Sequence, residues 1–114
     1  MLFSLACDGR KIHVALSQMR ERVVISKSER PEKRFMAKFE KKTVHFGQKG
    51  GSTFVDHKDE KMKAAWEARH RVRENWRDYD TPGSLSKHVL WNKTSVSASV
   101  RDLNARQKQY NFVY

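Results

Sequence analysis

Cysteine is nearly missing from this sequence. Cys7 stands alone, so no disulfide forms within the chain, and a reducing compartment fits. There is no apolar run approaching the roughly 20 residues a bilayer-spanning helix needs. The opening Met1-Leu2-Phe3-Ser4-Leu5-Ala6-Cys7 is apolar but short and has no basic stretch before it, so a secretory signal is not expected. The Asn92-Lys93-Thr94 sequon then reads as a chance match. Internal repeats and low-complexity tracts are absent. Acidic residues are few beside basic ones, 13 against 24, giving a formal net charge of +11. That excess predicts attraction to polyanions: nucleic acid, an anionic membrane surface or an acidic protein.

What is present reads as one α+β domain over residues 1–114, large enough to bury roughly two-thirds of the surface of its unfolded chain. The first half predicts strands. Leu2–Cys7 and Arg10–Leu16 flank Asp8-Gly9, a two-residue hairpin signal. Arg22–Lys27 is a third strand, closed by a charged loop that Pro31 keeps out of the sheet. In Arg34–Glu40, Phe35, Ala37 and Phe39 alternate with Arg34, Met36, Lys38 and Glu40, so Met36 is expected outward. A turn near Glu40-Lys41-Lys42 joins it to Thr43–Phe46, with Val44 and Phe46 inward. The second half predicts two or three helices. Asp56 or Asp59 caps one running to about Asn75, with Met62, Trp66, Arg69, Val72 and Trp76 on a narrow apolar stripe. Thr81-Pro82 opens a short helix toward Trp91. Thr94 or Ser95 caps a last one carrying Val96, Val100 and Leu103. Blocks of strands followed by helices argue for α+β rather than a parallel sheet. The closing Phe112-Val113-Tyr114 either docks on this domain or is held by partners in a larger assembly, and the second is expected.

Nothing announces catalysis. The carboxylates sit mostly among Lys and Arg, as solvated ion pairs do. Cys7 reads as a small buried hydrophobe. His13, His45, His57, His70 and His88 show no zinc-ligand spacing, and a structural role, such as His57 hydrogen-bonding near a helix start, is expected instead. No metal and no cofactor is expected. Gly47-Gln48-Lys49-Gly50-Gly51-Ser52 follows a strand but fails the P-loop pattern, and reads as a turn with positive φ whose Lys49 is open to anions.

The basic surface is the strongest functional signal. From Arg10 to Lys49, twelve Lys and Arg face four Glu and no Asp; from His57 to Arg77, seven face four acids. Such a field holds phosphates without reading bases. Lys38, Lys41, Lys42, Lys49, Lys63, Arg69, Arg71 and Arg73 are the expected polyanion contacts. Phe35, Phe39, Val44, Phe46, Trp66, Trp76 and Trp91 are the expected core or anchor residues, although interleaved aromatics also occur in single-strand binders that stack bases. No helix-turn-helix, zinc-finger or ribonucleoprotein signature is visible.

Lys42-Thr43-Val44-His45-Phe46-Gly47, Lys49-Gly50, His57-Lys58-Asp59, Ala68-Arg69-His70, Arg73-Glu74-Asn75-Trp76, Leu90-Trp91-Asn92-Lys93 and Ala98-Ser99-Val100-Arg101-Asp102 follow one another in an order that resembles a family of small basic proteins of nucleocytoplasmic large DNA viruses, of mimivirus and chlorella-virus type. The resemblance spans about residues 34–106 and leaves 1–33 unmatched, as an N-terminal extension. The family tends to place aromatics where this chain has Gly51, Ser84, Leu85 and His88, and a proline at Thr94. No catalytic residue carries over. The resemblance implies a virion location, with passage through host cytoplasm or nucleus and no secretion. The expected function is a non-enzymatic structural component of the particle, a minor capsid or core protein contacting acidic partners such as capsid or other virion proteins. The alternative is a sequence-nonspecific nucleic-acid-binding protein. An enzyme is the least favoured class.

Overall fold

The computed structural model describes residues 20–114. The two hairpin strands expected before Leu16, together with Cys7 and His13, lie outside them. Three strands, β1 (Glu21–Lys27), β2 (Lys33–Lys38) and β3 (Thr43–Gln48), form an antiparallel meander, and β4 (Tyr110–Val113) joins β1 in parallel, giving the order β3-β2-β1-β4. The helices follow β3, so the domain is α+β. β1 is a central strand although it lies in the stretch expected as an extension; the sheet's core begins before residue 34.

The period of two places Val23, Ile25, Ala37, Val44, Phe46, Tyr110 and Phe112 in the core. Arg22, Lys38, Thr43 and Asn111 alternate with them and are exposed. Met36 departs from the expected outward position and is buried. In register it lies between Ser26 and His45, and cross-strand neighbours at that spacing cover a long thioether. The β2–β3 turn sits where the spacing predicts, with the Phe39 N–H donating to the Lys42 carbonyl at 2.8 Å.

The chain end corrects an expectation. Phe112 is buried and Val113 is half-buried within β4, so this end docks on its own domain. Tyr110 and Phe112 direct their peptide groups away from β1, toward two amide side chains. Asn104 accepts from the Phe112 N–H at 2.8 Å and donates to its carbonyl at 2.9 Å. Gln107 does the same for Tyr110, at 2.8 and 2.7 Å. Each side chain stands in for one residue of a missing neighbour strand, which blunts an edge open to pairing.

A four-residue α1 (Phe54–His57) is held by a capping box between Thr53 and Asp56. Asp59 caps α2 (Glu60–Arg71), accepting from the N–H groups of Lys61 and Met62. α2 ends four residues before Asn75, because Arg73 and Glu74 both donate to the His70 carbonyl and Asn75 turns the chain by accepting from the Arg77 N–H. The expected apolar stripe is not a buried one: Trp66 is 9% exposed, but Met62 is 48% and Val72 81% exposed. α3 (Pro82–Leu85) carries Thr81 as N-cap and Pro82 at its first position, then widens into a π-helical turn, Ser86–Leu90. That turn and Trp91, whose N–H closes it onto the Ser86 carbonyl, bury His88, Val89, Leu90 and Trp91 in succession. α4 (Val96–Arg106), capped by Ser95, lays Val100 and Leu103 on the sheet.

Candidate functional site

A cleft of about 520 Å³ opens between the end of β3, α2 and the start of α3. Its back wall is a column of rings. Trp66 lies between Trp91, 5.0 Å away and inclined by 10°, and His70, 4.2 Å away and inclined by 19°. Helical spacing makes the second contact: His70 is one turn beyond Trp66, and its Nδ1–H donates to the Trp66 carbonyl at 2.9 Å. Beyond Trp91 stands His57, tilted by 59° at 5.3 Å. Its Nδ1 accepts from the Asp59 N–H at 3.0 Å, the structural role expected for it beside a helix start. The opposite tautomeric position, Nε2, is buried without a hydrogen-bond partner. The column is therefore closed at the His57 end, while Trp91, Trp66 and His70 all line the cleft.

Charges of both signs border it. Lys33 and Arg69 line the cleft, and so does Glu74. The Glu74 carboxylate packs on Gly83, where a side-chain carbon would collide with it, and has no hydrogen-bond or ion-pair partner among the described residues. Gly47 holds φ at +76°, and a Cβ there would meet Leu90 Cδ1 at 2.9 Å. The turn with positive φ expected in the Gly47–Ser52 stretch is present at Gly47 and Gly50, but Gly47 belongs to β3 and packs on the core. A second hollow of about 420 Å³ adjoins the first, shares Lys33 with it and is lined by Arg30, Lys42 and Asp80.

The structure divides the expected polyanion contacts. Lys38, Lys41, Lys49, Arg69, Arg71 and Arg73 are exposed. Lys41 and Lys49 sit at opposite ends of β3 and do not converge. Lys42 is taken by Asp80, 3.0 Å away. Lys63 turns inward, donating to the Asn92 carbonyl at 2.8 Å with its ammonium 4.9 Å from the Phe54 ring centre, so it holds α2 to the body. Of the expected anchors, Val44, Phe46, Trp66 and Trp91 are in the core, and Phe35, Phe39 and Trp76 pack against it. Sequence reasoning missed Lys33, His70 and Glu74. The i, i+4 relation of His70 to Trp66 was a usable signal. Nothing in the sequence joins Glu74 to Gly83.

The strongest charge pairing lies beside the cleft. Asp56 accepts from Arg34 at 2.6 and 2.8 Å and from the Thr53 N–H and hydroxyl, and the guanidinium above all holds its carboxyl well below the usual carboxylate range. Among the described residues no cluster of three His, Cys, Asp or Glu is placed for a metal, and no helix is long and apolar enough to cross a membrane.

Residues 23–70 match a family of unknown function, DUF5754. The match takes in β1 from Val23, β2, β3, α1 and α2 up to His70, hence Lys33, Trp66, Arg69 and His70 of the cleft; Glu74, Gly83 and Trp91 lie beyond it. No curated protein and no solved structure matches the chain.

Proposed function

We propose that this is a non-enzymatic basic binding protein, a structural component of a large DNA virus particle that sits among acidic partners as a minor capsid or core protein. The resemblance of residues 34–106 supplies the context. The observation that carries it is the spread of charge. Exposed cations stand on the outer sheet face (Arg22, Lys38), at both ends of β3 (Lys41, Lys49), at the end of α2 (Arg71, Arg73) and on α4 (Arg101). A surface charged on several sides suits a place between acidic neighbours better than docking of one face on a duplex. The test is protein analysis of gradient-purified particles after nuclease and salt washes. Retention at constant proportion to the major capsid protein is expected, and its absence overturns the proposal.

A second reading, binding of single-stranded nucleic acid, is favoured by the cleft, where stacked rings meet Arg69 and Lys33. Titration of labelled DNA across salt concentrations checks it. Affinity should fall with a log–log slope near −0.7 per phosphate contacted for single strands, and duplex should bind less well.

A further inference from the structure

We infer that the cleft is a pocket for one nucleotide of a single strand, selective for a base that carries an exocyclic amino group. This rests on the second reading above and deepens it.

The ring column is the first ground. Trp91 and Trp66 are stacked and His70 continues them, all three nearly parallel, while His57 and Phe54 close the far end. Trp91, Trp66 and His70 all line the cleft and His57 does not, and His70 is the outermost ring of the stack, so a planar ligand entering the cleft extends the column over His70. The Nδ1–H bond to the Trp66 carbonyl fixes the imidazole flat, so the stacking surface is set before a ligand arrives. Size is the second ground: about 520 Å³ is within the range of pockets for small ligands and accommodates one nucleotide.

Polarity is the third ground. Glu74 is the acid on the cleft wall, its carboxylate lying against Gly83 in space that a Cβ there would take. An ionised carboxylate accepts hydrogen bonds and donates none, so it suits the exocyclic amino group of adenine, cytosine or guanine and opposes thymine, which presents a carbonyl where cytosine has its amino group. It also opposes a phosphate on its own side. The phosphate then belongs with Lys33 and Arg69, which line the cleft as cations without an ion-pair partner among the described residues.

The test is fluorescence anisotropy of labelled 12-mers of dA, dC and dT with the full chain at low salt, for the wild type, Glu74→Gln and His70→Ala. Wild type is expected to bind dA and dC on the order of fivefold or more tighter than dT. Glu74→Gln supplies an amide donor to the thymine carbonyl and should narrow that gap below about twofold. His70→Ala should weaken dA and dC about tenfold by removing the stacking surface. Quenching of the wild-type tryptophan emission by dA gives a readout independent of any variant. If the three homopolymers bind alike and Glu74→Gln leaves them alike, the pocket is overturned while nucleic-acid binding stands. If none binds the wild type, both fall.

Discussion

The sheet with its π-turn and α4 differs sharply from α2. In the first region, core side chains such as Phe46, Leu90 and Leu103 are almost wholly removed from water, and both faces of the packing come from residues distant in sequence. In the second, twelve residues bury a single side chain, Trp66, and attach through it, through Lys63 on the Asn92 carbonyl, and through Glu67 paired to Lys87 at 2.8 Å. One region is a core and the other is a charged arm held at three points. Stability is therefore concentrated in the body, and the arm is placed to present the cleft.

The largest effects should fall on the body. Phe46→Ala should cost about 3–5 kcal/mol and Leu103→Ala about 2–5 kcal/mol in urea unfolding, because each leaves a cavity in a region with no exposed surface to relax into. Val72→Ala and Met62→Ala should stay within about 0.5 kcal/mol, although the sequence pattern placed both on an apolar stripe. Equal losses in the two regions would abolish the contrast. Trp66→Ala sharpens it: hydrogen exchange should speed up over α2 while β1 keeps its protection, since that ring is the arm's only buried side chain.

Local patterns were legible where one strand or one turn decides them. The inward Val44 and Phe46 of β3, the Thr81-Pro82 helix start and the Ser95 cap all appear in the fold, whereas the alternation expected over Arg34–Glu40 is broken by buried Met36. The length of α2 was not legible, because Asn75 and the bifurcated His70 carbonyl end it where the charges continue. Nor was β4, whose four residues gain their partner from β1, almost ninety positions earlier. The cleft was half legible. Trp66 and Arg69 stood out by type and spacing, whereas Glu74 against Gly83 and Lys63 against Asn92 are contacts between separate segments that no period encodes.

The amide clamp on β4 makes an intermediate prediction. Asn104→Ala leaves the N–H and carbonyl of buried Phe112 without partners and should cost about 1–3 kcal/mol. Asn104→Asp should also destabilise, since a carboxylate accepts from the N–H but cannot donate to the carbonyl.

Acid should unsettle the body through a buried imidazole. His88 donates Nε2–H to the Trp76 carbonyl at 2.7 Å and turns Nδ1 toward Arg106 at 3.5 Å. Burial, chiefly, with Arg106 and Lys87 adding to it, lowers its pKa against the pull of that carbonyl. The unfolded chain therefore takes up the proton first. The contribution is complete above the ordinary value of 6.5 and declines as pH falls from there toward the folded value. His88→Gln should flatten that limb of a melting-temperature profile. A further limb, from the lowered carboxyls of Asp56 and Asp102, is present above 3.8 and lost on more acid pH, and should persist in the variant.

The smallest effect should come from the pair that joins the hairpin tip to the loop before α3. Lys42 Nζ and Asp80 are 3.0 Å apart, but the lysine side chain is 50% exposed and the aspartate 33%. Water screens such a pair, and ordering a long side chain offsets part of the attraction, so Lys42→Gln should change stability by no more than about 1 kcal/mol. Its effect on polyanion binding should be smaller than that of Lys41→Gln, because Asp80 already neutralises much of the charge Lys42 presents. Salt titration of both variants separates the two: Lys41→Gln should flatten the slope more. Equal slopes would mean that the ion pair opens when a partner arrives, and that Lys42 belongs to the contact surface after all.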